Sequence, residues 1–102
     1  MRVIFRRTGG FANMPISADL DTVNCSPDVC EKLQQLVESS GVMYMQSLRV
    51  TGARDVRTYH LEIDKNGLVQ KVDIDEISVP EKVKPLIEFL VAHSKSMFGD
   101  EA

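Results

Sequence analysis

Apolar and polar side chains alternate from the first residues of the chain. Val3 and Phe5 interleave with Arg2, Ile4 and Arg6, the two-residue period of a strand with one buried face. Thr8-Gly9-Gly10 interrupts that run and Phe11 to Ile16 resumes it. Two glycines between β-prone runs allow positive φ at a turn, so a hairpin is expected there. Pro15 has no amide to donate and suits an edge or a strand end, and Asp19 to Asn24 reads as a polar connection.

The period then changes to that of a helix. Ser26-Pro27-Asp28 is a helix start: the hydroxyl can accept orphan amides, proline tolerates the first position, and aspartate favours the positive end of the dipole. Val29, Cys30, Leu33, Leu36 and Val37 fall on one helical face. Ser39-Ser40-Gly41 ends the helix, with Gly41 as its left-handed cap. Val42 to Val50 is apolar without a clean period and reads equally as a covered loop, an irregular edge strand or a binding surface. Thr51 to Asp55 closes it as a turn.

Alternation returns at Val56. Tyr59, Leu61 and Ile63 oppose Thr58, His60 and Glu62, and Leu68, Gln70, Val72 and Ile74 oppose Val69, Lys71 and Asp73. Asn66-Gly67 between the two runs is the strongest short-range hairpin signal in the chain. A last helix is expected from about Glu81 to Met97, burying Val83, Leu86, Ile87, Leu90 and Val91, with Gly99 as its stop. Pro85 requires either a short turn before it or a helix that begins there. The order β-β-α-β-β-α predicts one α+β domain over residues 1–102. It has two layers, an antiparallel sheet of about four strands with both helices on one face.

Composition narrows the function classes. The chain has 102 residues, 43% hydrophobic and 26% charged, enough for one globular core. Twelve Lys and Arg against 15 Asp and Glu give a charge of −3, so no global field attracts nucleic acid. No run approaches the roughly 20 apolar residues of a membrane span, and Met1 to Gly10 lacks the apolar region of a signal peptide. A cytoplasmic protein with free thiols at Cys25 and Cys30 is the expectation, because the four intervening residues match neither a redox pair nor a zinc site.

No residue pattern points to catalysis, a cofactor or a metal. His60 and His93 have no paired carboxylates or cysteines beside them in sequence, and Asp73, Asp75 and Glu76 read as solvated charge rather than a cation cluster. Gly9-Gly10 leads into a strand and matches no phosphate-loop spacing. Arg2, Arg6 and Arg7 form one basic group and Arg49, Arg54 and Arg57 another, without an RNA-stacking motif.

Arg7-Thr8-Gly9-Gly10-Phe11-Ala12, closing the first strand, resembles the corresponding turn of the emfourin family. The resemblance continues through Asp21-Thr22, Leu33-Gln34-Gln35-Leu36-Val37, Tyr59-His60-Leu61-Glu62-Ile63 and Val79-Pro80 with Val83-Lys84-Pro85-Leu86-Ile87. Between Gly41 and Arg54 the chain is Met- and Tyr-bearing, where the family pattern is a Pro/Ala-rich loop. The founding member inhibits protealysin, a thermolysin-like zinc metalloprotease. The resemblance therefore implies a non-catalytic inhibitor that occludes such a protease's cleft. Two surfaces suit that role: the tip Thr8, Gly9, Gly10 and Phe11 with Met14, and the segment carrying Met43, Tyr44 and Met45. The alternative is an interaction module that pairs with itself, as a homodimer, or with another protein.

Overall fold

The computed structural model describes residues 1–10, 14–48 and 56–96. Its elements are β1 (Arg2–Gly9), β2 (Ile16–Asp21), α1 (Pro27–Ser40), a 3-10 turn (Val42–Tyr44), β3 (Arg57–Lys65), β4 (Leu68–Asp75), α2 (Lys84–Ala92) and β5 (Lys95–Ser96). All five strands join one antiparallel sheet in the order β4-β3-β1-β2-β5. β3 thus lies against β1, with Phe5 opposite Leu61, and the two hairpins share one sheet.

Alternation sorts the faces. Val3 and Phe5 of β1, Ala18 of β2, Leu61 and Ile63 of β3, and Val72 and Ile74 of β4 form a core with Leu33, Leu36 and Val37 of α1 and Leu86, Ile87 and Leu90 of α2. Both helices therefore cover one face. The other face carries Arg2, Asp19, Glu62 and Lys71, where charge can stay in water. Arg2 pairs there with Asp19 (Nη2–Oδ2 2.6 Å), and that hydrogen bond holds the Asp19 carboxyl below the usual carboxylate range.

Asn66 (φ +55°) and Gly67 (φ +87°) form the tight turn between β3 and β4, as their sequence predicts. Several boundaries moved. The sheet has five strands rather than about four, because the chain beyond α2 returns to pair Lys95 and Ser96 with β2. β2 begins at Ile16, so of the run expected from Phe11 to Ile16 only Ile16 among the described residues is strand. Asp19 and Asp21, expected in a connection, belong to β2, since they alternate with Ala18 and Leu20 toward the open face. α2 is shorter than expected: Pro85 falls in its first turn, so residues 80–83 form a preceding turn. At α1, Gly41 takes the left-handed cap position (φ +71°), but Ser26 makes no side-chain cap. The closing turn expected at residues 51–55 and the stop at Gly99 lie outside the described residues.

The free-thiol expectation is overturned. The β2–α1 corner brings the Cα atoms of Cys25 and Cys30 within 5.8 Å, and the two sulfurs are bonded. The spacing works because Cys25 precedes the helix and Cys30 lies in its first turn. A cytoplasmic location therefore loses the support of free thiols. Among the described residues, no helix is long and apolar enough to cross a membrane. Closing so short a loop is worth about 2 kcal/mol on a chain-entropy account. Unreduced native protein should therefore show no reactive thiol, and reduction should lower the unfolding midpoint. Two thiols titrating before reduction would contradict the bridge.

Candidate partner-binding surfaces

The sequence nominated two surfaces, and the fold places them at opposite ends of the sheet. β1 runs from Arg2, opposite Asp64 near the β3–β4 turn, to Gly9, opposite Arg57. Thr8, Gly9 and Gly10 therefore occupy one end. Met43 and Tyr44 border Lys65, Asn66 and Leu68 at the other. The length of β1, about 25 Å, separates them. They do not form one site.

At the first end, Gly9 and Gly10 both adopt positive φ (+81° and +84°). A Cβ on Gly9 would lie 2.8 Å from the Val56 carbonyl oxygen, so this position requires glycine sterically as well as conformationally. Thr8 is held by a chain of side chains across three strands. Thr8 Oγ1 lies 2.8 Å from His60 Nε2, and His60 Nδ1 lies 2.8 Å from Asp73 Oδ1. The two ring nitrogens of His60 thus bridge the Thr8 hydroxyl and the Asp73 carboxyl group. Beyond the turn, Met14 is 66% exposed; Phe11 lies outside the described residues. Nearby Tyr59 stacks on Phe5 (centroids 6.0 Å apart), and burial, with Glu76, pushes its phenol pKa up.

His60 has no paired carboxylate beside it in sequence, yet the β3–β4 register seats it opposite Asp73. Asp73 and Asp75 share a face as alternation requires, but Asp75 is buried and accepts a hydrogen bond from Thr58 Oγ1. Among the described residues no group of three or more His, Cys, Asp or Glu is placed to hold a metal. Arg2 and Arg6 lie on the open face and Arg7 on the other, so the expected basic group is divided.

At the second end, the aperiodic segment after Gly41 resolves into two roles. Val42 is fully buried in the core, while Tyr44 is 91% exposed. Met43 and Met45 pack against the core edge. Gln70 Nε2 donates to the Val42 carbonyl (3.1 Å) and the Met45 carbonyl (2.7 Å), bracketing Tyr44 from both sides. Sequence reasoning missed this role of Gln70 in bracing the segment. Its signal was a polar side chain on the apolar phase of β4, among Leu68, Val72 and Ile74. The segment continues to Leu48, which pairs with the outer edge of β4 through Leu48 N–H to Asp73 O (2.8 Å) and Asp75 N–H to Leu48 O (2.9 Å).

The fold is a small α+β scaffold with a turn at each end of its sheet. The chain belongs to the emfourin family: the Emfourin family model matches residues 5–91, from the middle of β1 to the end of α2. That family is inhibitor-type and non-catalytic. Among curated proteins and solved structures, none matches the chain.

Proposed function

We propose that this protein inhibits a thermolysin-like zinc metalloprotease by occluding its active-site cleft. The observation that carries the reading is the family match over residues 5–91, which takes in every described core residue except Val3. The physical character of the molecule supports it. An inhibitor of this kind needs no acid–base machinery, only a projecting element whose ordering cost is met on folding. Both projecting turns are braced, one by the Thr8–His60–Asp73 chain and one by Gln70. Thermolysin-like clefts favour bulky apolar side chains beside the zinc, and the molecule exposes such groups at both ends.

The test is titration of protealysin, thermolysin and the source organism's own thermolysin-like enzyme with purified protein. Inhibition of at least one of them at micromolar concentration or below is expected. Full activity of all three at that concentration would sink the proposal. Including the native partner matters because specificity between related proteases is a difference of affinities and can be narrow.

A further inference from the structure

We infer that Tyr44 is the side chain that enters the protease, and that Gln70 is the positioning residue that holds it ready; this rests on the inhibitor reading above. Tyr44 is the most exposed large hydrophobic residue among the described residues, at 91%. A tyrosine ring so free of its own protein adds little to the stability of the fold. Met43 and Leu68 line the same groove of about 410 Å³, together with Glu38, Lys65 and Asn66, so the ring has apolar neighbours within a polar rim.

The backbone beneath Tyr44 is fixed from several sides. Val42 is buried, and its N–H is accepted by Ser40 Oγ (3.2 Å), itself buried and donating to Val37 O (2.8 Å). Tyr44 N–H donates to Gly41 O (3.0 Å) and Met45 N–H to Val42 O (3.3 Å). Gln70 then ties the Val42 and Met45 carbonyls to β4. An exposed aromatic on a braced turn loses little backbone freedom on binding, so only the ring's own rotation is left to order, which favours a hot-spot anchor. Met14, the exposed group at the other end, lies outside any helix or strand.

The adjoining main chain indicates the kind of partner. Asp73 and Asp75 direct their N–H groups away from β3, to Ser47 Oγ and Leu48 O. The two-residue period of the strand turns Val69 and Lys71 the same way. Leu48 continues the sheet beside Ile74, and among the described residues the exposed Val69 and Lys71 pair with no strand beyond β3. An anchor beside an exposed strand edge, continuous with a pairing the fold already makes, suits a partner that offers extended backbone next to an apolar pocket. A protease cleft has that chemistry.

The experiment compares inhibition of the protease found in the titration by wild type, Tyr44→Ala, Tyr44→Phe, Gln70→Ala, the Tyr44→Ala/Gln70→Ala double variant and Met14→Ala, with the melting temperature of each. Tyr44→Ala should weaken inhibition about 30-fold or more with its melting temperature unchanged. Tyr44→Phe should stay within about threefold of wild type, because the ring fills the pocket. Gln70→Ala should weaken inhibition about tenfold alone but add nothing to Tyr44→Ala, because it acts through that residue. Met14→Ala, at the other end, should weaken inhibition less than Tyr44→Ala does. Equal inhibition by Tyr44→Ala and wild type overturns the inference while leaving the inhibitor reading intact, and a loss seen instead in Met14→Ala moves the contact to the other end and also overturns it. Additive losses in the double variant overturn the positioning role of Gln70. No inhibition by wild type of any of the three enzymes removes both.

Discussion

Phe5→Ala is expected to cost about 3–5 kcal/mol, a large share of the roughly 5–15 kcal/mol that holds a domain of this size together. Phe5 is fully buried on β1, the central strand of the sheet. It sits opposite Ala18 on one side and Leu61 on the other, and its ring stacks on Tyr59. Because β1 is hydrogen-bonded to a strand on each side, the backbone around the cavity has little freedom to collapse, which puts the site toward the costly end of such substitutions. Urea unfolding should show a lower midpoint at an unchanged slope, the signature of lost stability without a change in the surface exposed. A loss below about 1 kcal/mol would mean that the core is not packed as described.

Gly9→Ala should also be strongly damaging, at about 2–3 kcal/mol, although it removes no core atom. Two effects add. The φ of +81° strains any residue with a Cβ, and that Cβ would press on the Val56 carbonyl at 2.8 Å, a backbone atom with no rotamer to move away. Gly67→Ala separates the two terms. Gly67 has a similar φ of +87°, but nothing lies within 4 Å of the added methyl, so only the conformational cost of about 1 kcal/mol applies. Thermal unfolding of both variants should rank Gly9→Ala clearly below Gly67→Ala. Equal effects would remove the contact with Val56 from the account.

Much of the fold was legible because its signals are local. The alternation of Val3 and Phe5 with Arg2 and Arg6, the Asn66-Gly67 turn, and Pro27 and Gly41 at the two ends of α1 each depend on neighbours within a few residues. The errors arose where local signals competed. Asp19 and Asp21 looked like loop because they are acidic, although they alternate with Ala18 and Leu20 as open-face strand residues. Lys95 and Ser96 carry no strand signal; they pair because α2 ends beside β2. Cys25 and Cys30 were read by motif spacing, while their pairing depends on the angle at which the chain enters α1.

The candidate site was less legible than the fold. Tyr44 and the glycine turn were visible as residues without a core position, but not their separation to opposite ends of the sheet. The contacts that brace them join residues far apart in sequence: Thr8 and His60 are separated by 52 positions, and Gln70 and Val42 by 28. By itself the sequence determined which side chains face the core, where most elements begin and end, and the family that succession belongs to. Strand order, the disulfide, the Thr8–His60–Asp73 chain and the Gln70 brace beneath Tyr44 were decided by tertiary structure. The physical reason is that a period of two or 3.6 assigns a residue to a face, whereas only strand pairing and helix packing choose what stands opposite it.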